Sequence, residues 1–164
     1  MIKKILVPLD GSKLAECVLA DTEDLAKKLD AEVALISVTN SVQGYWPIED
    51  ARRPSELHMV EKIDAQKNDF LYPQATCSQE EHATNYLNAA AKGLEEKGVK
   101  VIKEVICGKT AQEIIYYAER NHSDLIIMST HGRSGLSKLT HGSITEKVLK
   151  LARIPVMVIR PIIK

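Results

Sequence analysis

The chain has 164 residues, of which 45% are hydrophobic and 27% are charged, the size and composition of one soluble domain. Its 22 Lys and Arg balance its 22 Asp and Glu, so there is no broad basic surface to attract nucleic acid and no acidic surplus to attract cations. The first apolar run ends at Asp10 and is too short for a signal peptide or a membrane span, so we expect a cytoplasmic protein without a membrane partner.

Three cysteines, Cys17, Cys77 and Cys107, lie far apart in the chain. Their odd number and wide spacing argue against a disulfide framework or a metal clip and are typical of a reducing compartment. We expect all three to be packing residues.

The chain begins with a strand, a helix and a second strand. A nearly continuous apolar run from Ile2 to Leu9 predicts a strand buried on both faces, and the run from Glu32 to Thr39 predicts another. Between them, apolar and small residues recur at helical spacing: Leu14, Ala15, Val18, Thr22, Leu25, Ala26 and Leu29.

A second helix is predicted from about Ser78 to Lys97, with Ser78 and Glu81 as a capping box and Gly98 at its end. The segment from Val99 to Cys107 predicts a third strand, whose interspersed lysines indicate a sheet edge. One face of the helix carries Ala83, Tyr86, Leu87, Ala90, Ala91 and Leu94.

The last third of the chain continues the alternation. Thr110 and Glu113 form a second capping box for a third helix, and Asp124 to Met128 predicts a fourth strand. Ser143 to Glu146 is a third capping box, for a fourth helix, and Val156 to Ile159 follows Pro155 as the last strand. The apolar residues of these two helices are Ala111, Ile114, Ile115, Ala118, Val148, Leu149 and Ala152.

This alternation predicts a single α/β domain over residues 1–164, with an open, doubly wound, five-stranded parallel sheet and helices on both faces. The segment at about 41–77 is an insert, because it exceeds an ordinary connection. It has a partial helical stripe in Leu57, Val60 and Ile63 and holds the aromatic residues Tyr45, Trp46, Phe70 and Tyr72. These aromatic residues predict either a plug packed on the sheet or a lid or dimer contact.

Two strand ends are specialised for binding. Residues 8–12 follow the first strand with Pro-Leu-Asp-Gly-Ser, and residues 129–135 follow the fourth with a stretch rich in Gly and Ser. Ligands of open parallel sheets bind beyond the carboxyl ends of the strands, where the strand order reverses. If both ends serve one ligand, the first and fourth strands are neighbours, which gives the order 3-2-1-4-5.

The segment 129–143 is a candidate phosphate cradle. Its glycines can bring backbone amides close to an anion, and Gly142-Ser143 precedes a helix whose amino end favours negative charge. Such a helix end contributes about 0.3 to 2 kcal/mol, whereas micromolar affinity needs about 8 kcal/mol. A nucleoside would supply the missing burial, with Pro8, Leu9 and Val38 receiving the base and Asp10 bonding a ribose or base edge.

The amino-acid sequence lacks the other common nucleotide-binding and catalytic motifs. Gly108-Lys109-Thr110 looks like the end of a P-loop, but Lys103 stands where that motif needs a glycine. There is no G-x-G-x-x-G after the first strand, no G-x-S-x-G elbow and no H-E-x-x-H. His131 and His141 flank the cradle without a carboxylate beside them, which argues against a zinc site.

The same segments resemble the universal stress protein family over nearly the whole chain. The opening KKILVPLDGS is similar to the family's first strand, and MSTHGRSGLSKLTHGSITEKVLKLARIPVMVIRP to its nucleotide-binding loop, last helix and last strand. The family's ATP signature is G-x-x-G, nine residues, then G followed by Ser or Thr. Here Gly132, the nine residues 133–141 and Gly142-Ser143 match it, whereas Ser129 stands in place of the first glycine.

The resemblance implies an ATP-binding regulatory or stress-response protein that holds ATP, or AMP or ADP, and we expect Mg or Mn to bridge the phosphates. Asp10 and Val38 would contact the adenosine, and residues 128–134 and 142–145 would surround the ribose and phosphates. Ser129 adds a side chain where the family signature has glycine, which weakens the match to the signature at that position. The candidate nucleotide-binding residues are Pro8, Leu9, Asp10, Val38, Met128, Ser129, Thr130, His131, Gly132, Arg133, Ser134, Gly142, Ser143, Ile144 and Thr145.

The resemblance also implies a homodimer through the last strand, because an unpaired apolar edge invites pairing, and Pro161 would end that ladder. No catalytic residue is assigned, and any ATP hydrolysis is expected to be slow because no base or firm metal ligand is evident. Two alternatives stay open: an enzyme that uses ATP to adenylylate a substrate, and a nucleotide-free structural dimer or interaction module.

Overall fold

A computed structural model describes residues 1–39, 74–130 and 144–160. Within them, strands and helices alternate as the sequence predicts. In chain order the elements are β1 (Lys4–Pro8), a short 3-10 helix (Ala15–Cys17), α1 (Val18–Leu29), β2 (Glu32–Thr39), α2 (Gln74–Glu95), β3 (Val101–Cys107), α3 (Thr110–Arg120), β4 (Leu125–Ser129), α4 (Ile144–Leu151) and β5 (Val156–Ile159).

The strands of the described residues form one parallel sheet in the order β3-β2-β1-β4-β5. On one side of β1, Leu6 lies beside Ala34 of β2, and on the other it lies beside Ile126 of β4. The predicted fold class and strand order are therefore confirmed. The order follows from the connections, because each parallel step needs a crossover over one face of the sheet, and the two halves of the chain step away from β1 in opposite directions.

Each face of the sheet carries its own apolar core. Ile5, Val7 and Val33 point to the side covered by α1 and α2, whereas Leu6 and Ile36 point to the side covered by α3 and α4. All five side chains are fully buried. The nearly continuous apolar strands are explained by this arrangement, because alternate residues of a central strand must be apolar on both faces.

The strand β3 lies at one edge of the sheet, as its lysines predict. Its middle residues are exposed, and Lys103 Nζ forms an ion pair with Glu95 Oε1 of α2 at 2.9 Å. On the other face, Tyr117 of α3 forms a side-chain hydrogen bond with Glu104, and burial, followed by the charge of Glu104, raises the pKa of Tyr117 to about 12. Charged groups therefore occupy this edge on both sides.

Two of the predicted capping boxes are wrong. The helix α2 begins at Gln74, so Ser78 lies within the helix and is not its N-cap. The helix α3 does begin at Thr110, but Lys109 is the N-cap and makes no side-chain capping bond. The helix α2 begins before Ser78, and α3 begins at Thr110 itself, where the pattern predicts the N-cap. The helix α2 ends at Glu95, two residues before the predicted Lys97, and Gly98, with a φ of 84°, lies in the turn that follows.

Other boundaries differ by a few residues. A 3-10 turn precedes α1, β3 begins at Val101 rather than at residue 99, and β4 runs one residue later than predicted. In α4, Val148 is fully buried but Leu149 is half-exposed, because a short helix on a sheet covers only a narrow stripe. The predicted cap at Ser143, the terminator Pro161 and residues 41–73 of the insert, with all four aromatic residues, lie outside the described residues.

Cys17 packs against the α1 and α2 side of the sheet, and Cys107 is partly buried at the end of β3. Burial, followed by the charge of Asp21, raises the pKa of the Cys17 thiol. None of the helices in the described residues is long and apolar enough to cross a membrane.

Asp124 ties β4 to the start of the chain. Its Oδ2 accepts hydrogen bonds from the backbone N–H groups of Lys3 at 2.7 Å and Lys4 at 2.9 Å, and these two bonds hold the pKa of the carboxyl below its usual value. A lowered pKa in the folded state stabilises the protein above the unfolded pKa of about 4, and the contribution is lost as the pH falls further.

We expect Asp124→Asn to lower the free energy of unfolding by about 1 kcal/mol at pH 7, since the bonds to a charged acceptor lie near solvent. The difference from the unsubstituted protein shrinks as the pH falls below about 4. Urea unfolding at several pH values measures it, with Asp24→Asn on the exposed side of α1 as the control. A difference that does not change with pH would contradict the assignment to the Asp124 charge.

Candidate functional site

The tips of β1 and β4 lie side by side at the carboxyl edge of the sheet. The register pairs Ile5 with Leu125 and Leu6 with Ile126, so Pro8 and Ser129 end neighbouring strands. After β1 the chain continues through α1 to β2, on one side of β1 in the sheet. After β4 it continues to β5, on the opposite side. A crevice at such a reversal of strand order is the usual ligand position in open parallel sheets.

Short hydrogen bonds order the loop after β1. Asp10 Oδ1 accepts the backbone N–H of Ser12 at 2.9 Å, with Gly11 between them at a φ of 83°. Ser12 Oγ accepts the backbone N–H of Ala15 at 3.1 Å and so caps the first turn of the following helical segment. The Asp10 carboxylate is therefore held at the tip of β1 by the turn that its own side chain forms.

The apolar residues predicted for the base have different environments. Pro8 and Val38 are partly exposed at the ends of β1 and β2, whereas Leu9 is only 3% exposed and packs into the core between the sheet, α1 and α2. The Leu9 side chain therefore belongs to the core and not to the mouth of the crevice. Its backbone N–H donates to the carbonyl of Ile36 and keeps the loop close to β2.

The tip of β4 is tied to both elements that follow it. Thr145 Oγ1, in the first turn of α4, donates to the backbone oxygen of Ser129 at 2.9 Å. The backbone N–H of Thr130 donates to the carbonyl of Ile159 in β5 at 3.0 Å. Met128 and Ser129 are buried, so this tip is a fixed rim beside β1.

The first turn of α4 is the second part of this rim. The dipole of α4 adds partial positive charge at the amino end of the helix. Ile144 is exposed in this turn, and Glu146 is ion-paired with Lys150 at 2.6 Å, which offsets its negative charge. The amino end of α4 therefore favours negative charge.

Of the predicted site residues, those described lie at one edge of the sheet: Pro8, Leu9, Asp10, Val38, Met128, Ser129, Thr130, Ile144 and Thr145. The others lie outside the described residues: His131, Gly132, Arg133, Ser134, Gly142 and Ser143. Sequence reasoning placed Ser12 in the specialised strand end 8–12 but gave it no role of its own, although Asp-Gly-Ser after a strand is a recognisable turn pattern. It also missed Ile159, for which the sequence has no signal.

Gly108 has a structural role at the same edge. A side chain at this position would place its Cβ 2.6 Å from Glu113 Oε1, so the glycine leaves room for the Glu113 side chain over the turn from β3 to α3. This accounts for a Gly-Lys-Thr sequence that is not part of a P-loop.

Comparison with known proteins agrees with this fold. The model of the universal stress protein family matches residues 1–160. The chain belongs to the universal stress protein family. Two relatives within this family, the universal stress proteins MJ0531 and MJ0577 of Methanocaldococcus jannaschii, are each 32% identical over 98% of the chain, covering 83% and 96% of their own lengths.

Solved structures in the family have the same fold. The MJ0577 structure superposes with a TM-score of 0.76 at 28% identity, covering 100% of this chain and 99% of that one. A universal stress protein in complex with cAMP has a TM-score of 0.63 at 14% identity, covering 97% of both chains. One from Archaeoglobus fulgidus in complex with dAMP has a TM-score of 0.61 at 15% identity, covering 96% of this chain and 97% of that one. At these two identities the likeness concerns the fold alone.

We expect Ser12→Ala to lower the free energy of unfolding by about 0.5 kcal/mol, because the Ala15 amide loses its side-chain acceptor but keeps its bond to the Ser12 carbonyl at 3.1 Å. Ser12→Thr, which keeps the hydroxyl, is expected to retain most of the stability. Urea unfolding of both variants measures the effect. Equal losses in the two variants would mean that the hydroxyl does not cap this turn.

Proposed function

We propose that the protein is a cytoplasmic, nucleotide-binding regulatory protein of the universal stress type, organised as a single domain. It binds ATP, or AMP or ADP, in the crevice between the tips of β1 and β4. Mg²⁺ or Mn²⁺ accompanies the polyphosphate, since these ions take oxygen ligands that the phosphates themselves supply. Its output is a conformational or partner-dependent signal rather than a chemical product.

The observation that carries this proposal is the pairing of β1 with β4. It brings the Asp10 carboxylate to the same edge as the tip of β4 and the first turn of α4. A carboxylate that can bond a ribose or base lies on one side of this crevice, and amide donors suited to phosphate lie on the other. An adenine nucleotide has these two chemistries at its two ends.

Two proteins of the same fold support an adenine nucleotide. One is held in complex with cAMP and the other with dAMP, and both ligands contain adenine, a sugar and one phosphate. In this chain the signature glycines Gly132 and Gly142 would add backbone amides for further phosphates.

We assign no dedicated enzymatic activity to the protein and at most slow ATP hydrolysis. Fast phosphoryl transfer needs a positioned base or a group that orients the attacking water, together with firm metal ligands. Asp10 supplies a carboxylate at the tip of β1, and its Oδ1 accepts the Ser12 amide. The Asp10 carboxylate contacts the ligand in this proposal and has no catalytic role.

We also propose a homodimer through β5. This strand forms the other edge of the sheet, and Met157 on it is 37% exposed. Leu149 and Leu151 on the preceding helix are exposed as well. A short apolar edge with unpaired backbone groups can extend its ladder with a second copy.

We expect isothermal titration calorimetry to detect ATP binding in the presence of Mg²⁺. Gly132→Val is expected to abolish it while leaving the helical signal in circular dichroism unchanged, because a branched side chain blocks backbone approach to phosphate. Gly93→Val is the matched control, since Gly93 lies in α2 with open space around it. Absence of binding by the unsubstituted protein at millimolar ATP would refute the proposal.

For the dimer, we expect Met157→Lys to weaken self-association at least about ten-fold, because the charge would be buried in the shared ladder. Ile102→Lys, at an exposed apolar position on the opposite edge strand, serves as the control and is expected to leave the dimer intact. Light scattering after size-exclusion chromatography measures both. Equal effects of the two variants would exclude β5 as the interface.

A further inference from the structure

The hydroxyl of Thr145 is already used within the protein. Thr145 Oγ1 donates to the backbone oxygen of Ser129 at 2.9 Å, across sixteen positions of sequence. A hydroxyl has one proton to donate, and the oxygens of an ionised phosphate are acceptors. While this bond exists, the Thr145 hydroxyl cannot also donate to a phosphate.

The surroundings of the bond favour its persistence. Ser129 is 8% exposed, and Thr145 is partly buried. Loss of a donor to a buried carbonyl is costly, because water does not readily replace it. A phosphate would therefore have to bind the Thr145 hydroxyl more strongly than the Ser129 carbonyl does.

The bond is part of a pair. Ser129 is held by α4 through Thr145, and the next residue, Thr130, is held by β5 through the carbonyl of Ile159 at 3.0 Å. Together these contacts hold the start of α4 and the end of β5 against the tip of β4. The position of the α4 amides relative to Asp10 on the neighbouring tip depends on this pair.

We propose that Thr145 is a positioning residue of the nucleotide site and not a phosphate ligand. Its hydroxyl holds the first turn of α4 against the tip of β4 and so sets where the anion-binding amides stand. The proposal rests on the proposed nucleotide-binding function. It also gives the backbone oxygen of Ser129 a role at the position where the family signature has glycine.

The experiment compares three variants of the full chain. Thr145→Val removes the hydroxyl at nearly constant shape, and Thr145→Ser keeps it. Thr84→Val is the control, because Thr84 Oγ1 also donates to a backbone carbonyl, that of Glu80 at 2.8 Å, but within α2 and on its exposed side. For each protein, NMR without ligand measures the carbonyl carbon shift of Ser129 and hydrogen exchange of the Thr130 amide. Calorimetry then measures the affinity for AMP and ATP with Mg²⁺.

In Thr145→Val we expect the Ser129 carbonyl shift to change and the Thr130 amide to exchange faster before any ligand is added. We expect its affinity to fall about five-fold for AMP and ATP alike, the size of one lost hydrogen bond. Thr145→Ser and Thr84→Val are expected to match the unsubstituted protein within about two-fold in affinity. In the unsubstituted protein with ATP bound, we expect the Ser129 carbonyl shift to remain different from its value in Thr145→Val, because the bond from Thr145 persists.

Four results would overturn the inference. If Thr145→Val leaves the ligand-free protein unchanged but weakens ATP binding, the hydroxyl contacts the ligand directly. A fall in affinity for ATP without a fall in affinity for AMP would have the same meaning. If the ligand-free protein changes while both affinities stay the same, the bond is structural only. If the unsubstituted protein binds neither nucleotide, the proposed function fails and the positioning role with it, whereas the other results leave that function intact.

Discussion

The pairing of β1 with β4 is the constraint on which the rest of this structure depends. Parallel strands end at the same edge of a sheet, so this pairing makes the loop after β1 and the start of α4 neighbours although they are far apart in the chain. The two halves of the sheet grow outward from it in opposite directions, which opens a crevice at the reversal. Removing this one adjacency would leave Asp10 and Thr145 at unrelated ends of the molecule.

Around the crevice, short polar side chains are used to hold the backbone. Asp10 and Ser12 order the loop after β1, and Thr145 holds the tip of β4. In the proposed site, backbone amides and the Asp10 carboxylate would meet the ligand. Such a site attracts an anion through local dipoles, which is compatible with a chain whose net charge is zero. It needs no basic surface.

The two edges of the sheet differ in chemistry. Along β3, Lys103 pairs with Glu95 on one face, and Glu104 meets Tyr117 on the other. Charged groups on an edge strand oppose pairing with another chain. The β5 edge is only four residues long and apolar, with Met157 exposed. Self-association is therefore proposed at β5, and the same strand reaches the proposed nucleotide site through the bond between Thr130 and Ile159.

The sequence by itself determined the buried strands and their alternation with helices, because burial on two faces demands apolar runs; the strands Glu32–Thr39 and Val156–Ile159 were predicted with their bounds. Capping patterns at Ser78 and Thr110 misled, since a four-residue pattern also occurs within a helix. Only the tertiary structure decided which distant groups bond, as Thr145 does with Ser129. Packing brings such partners within about 3 Å of each other, and the residue types alone do not specify which distant groups will come that close.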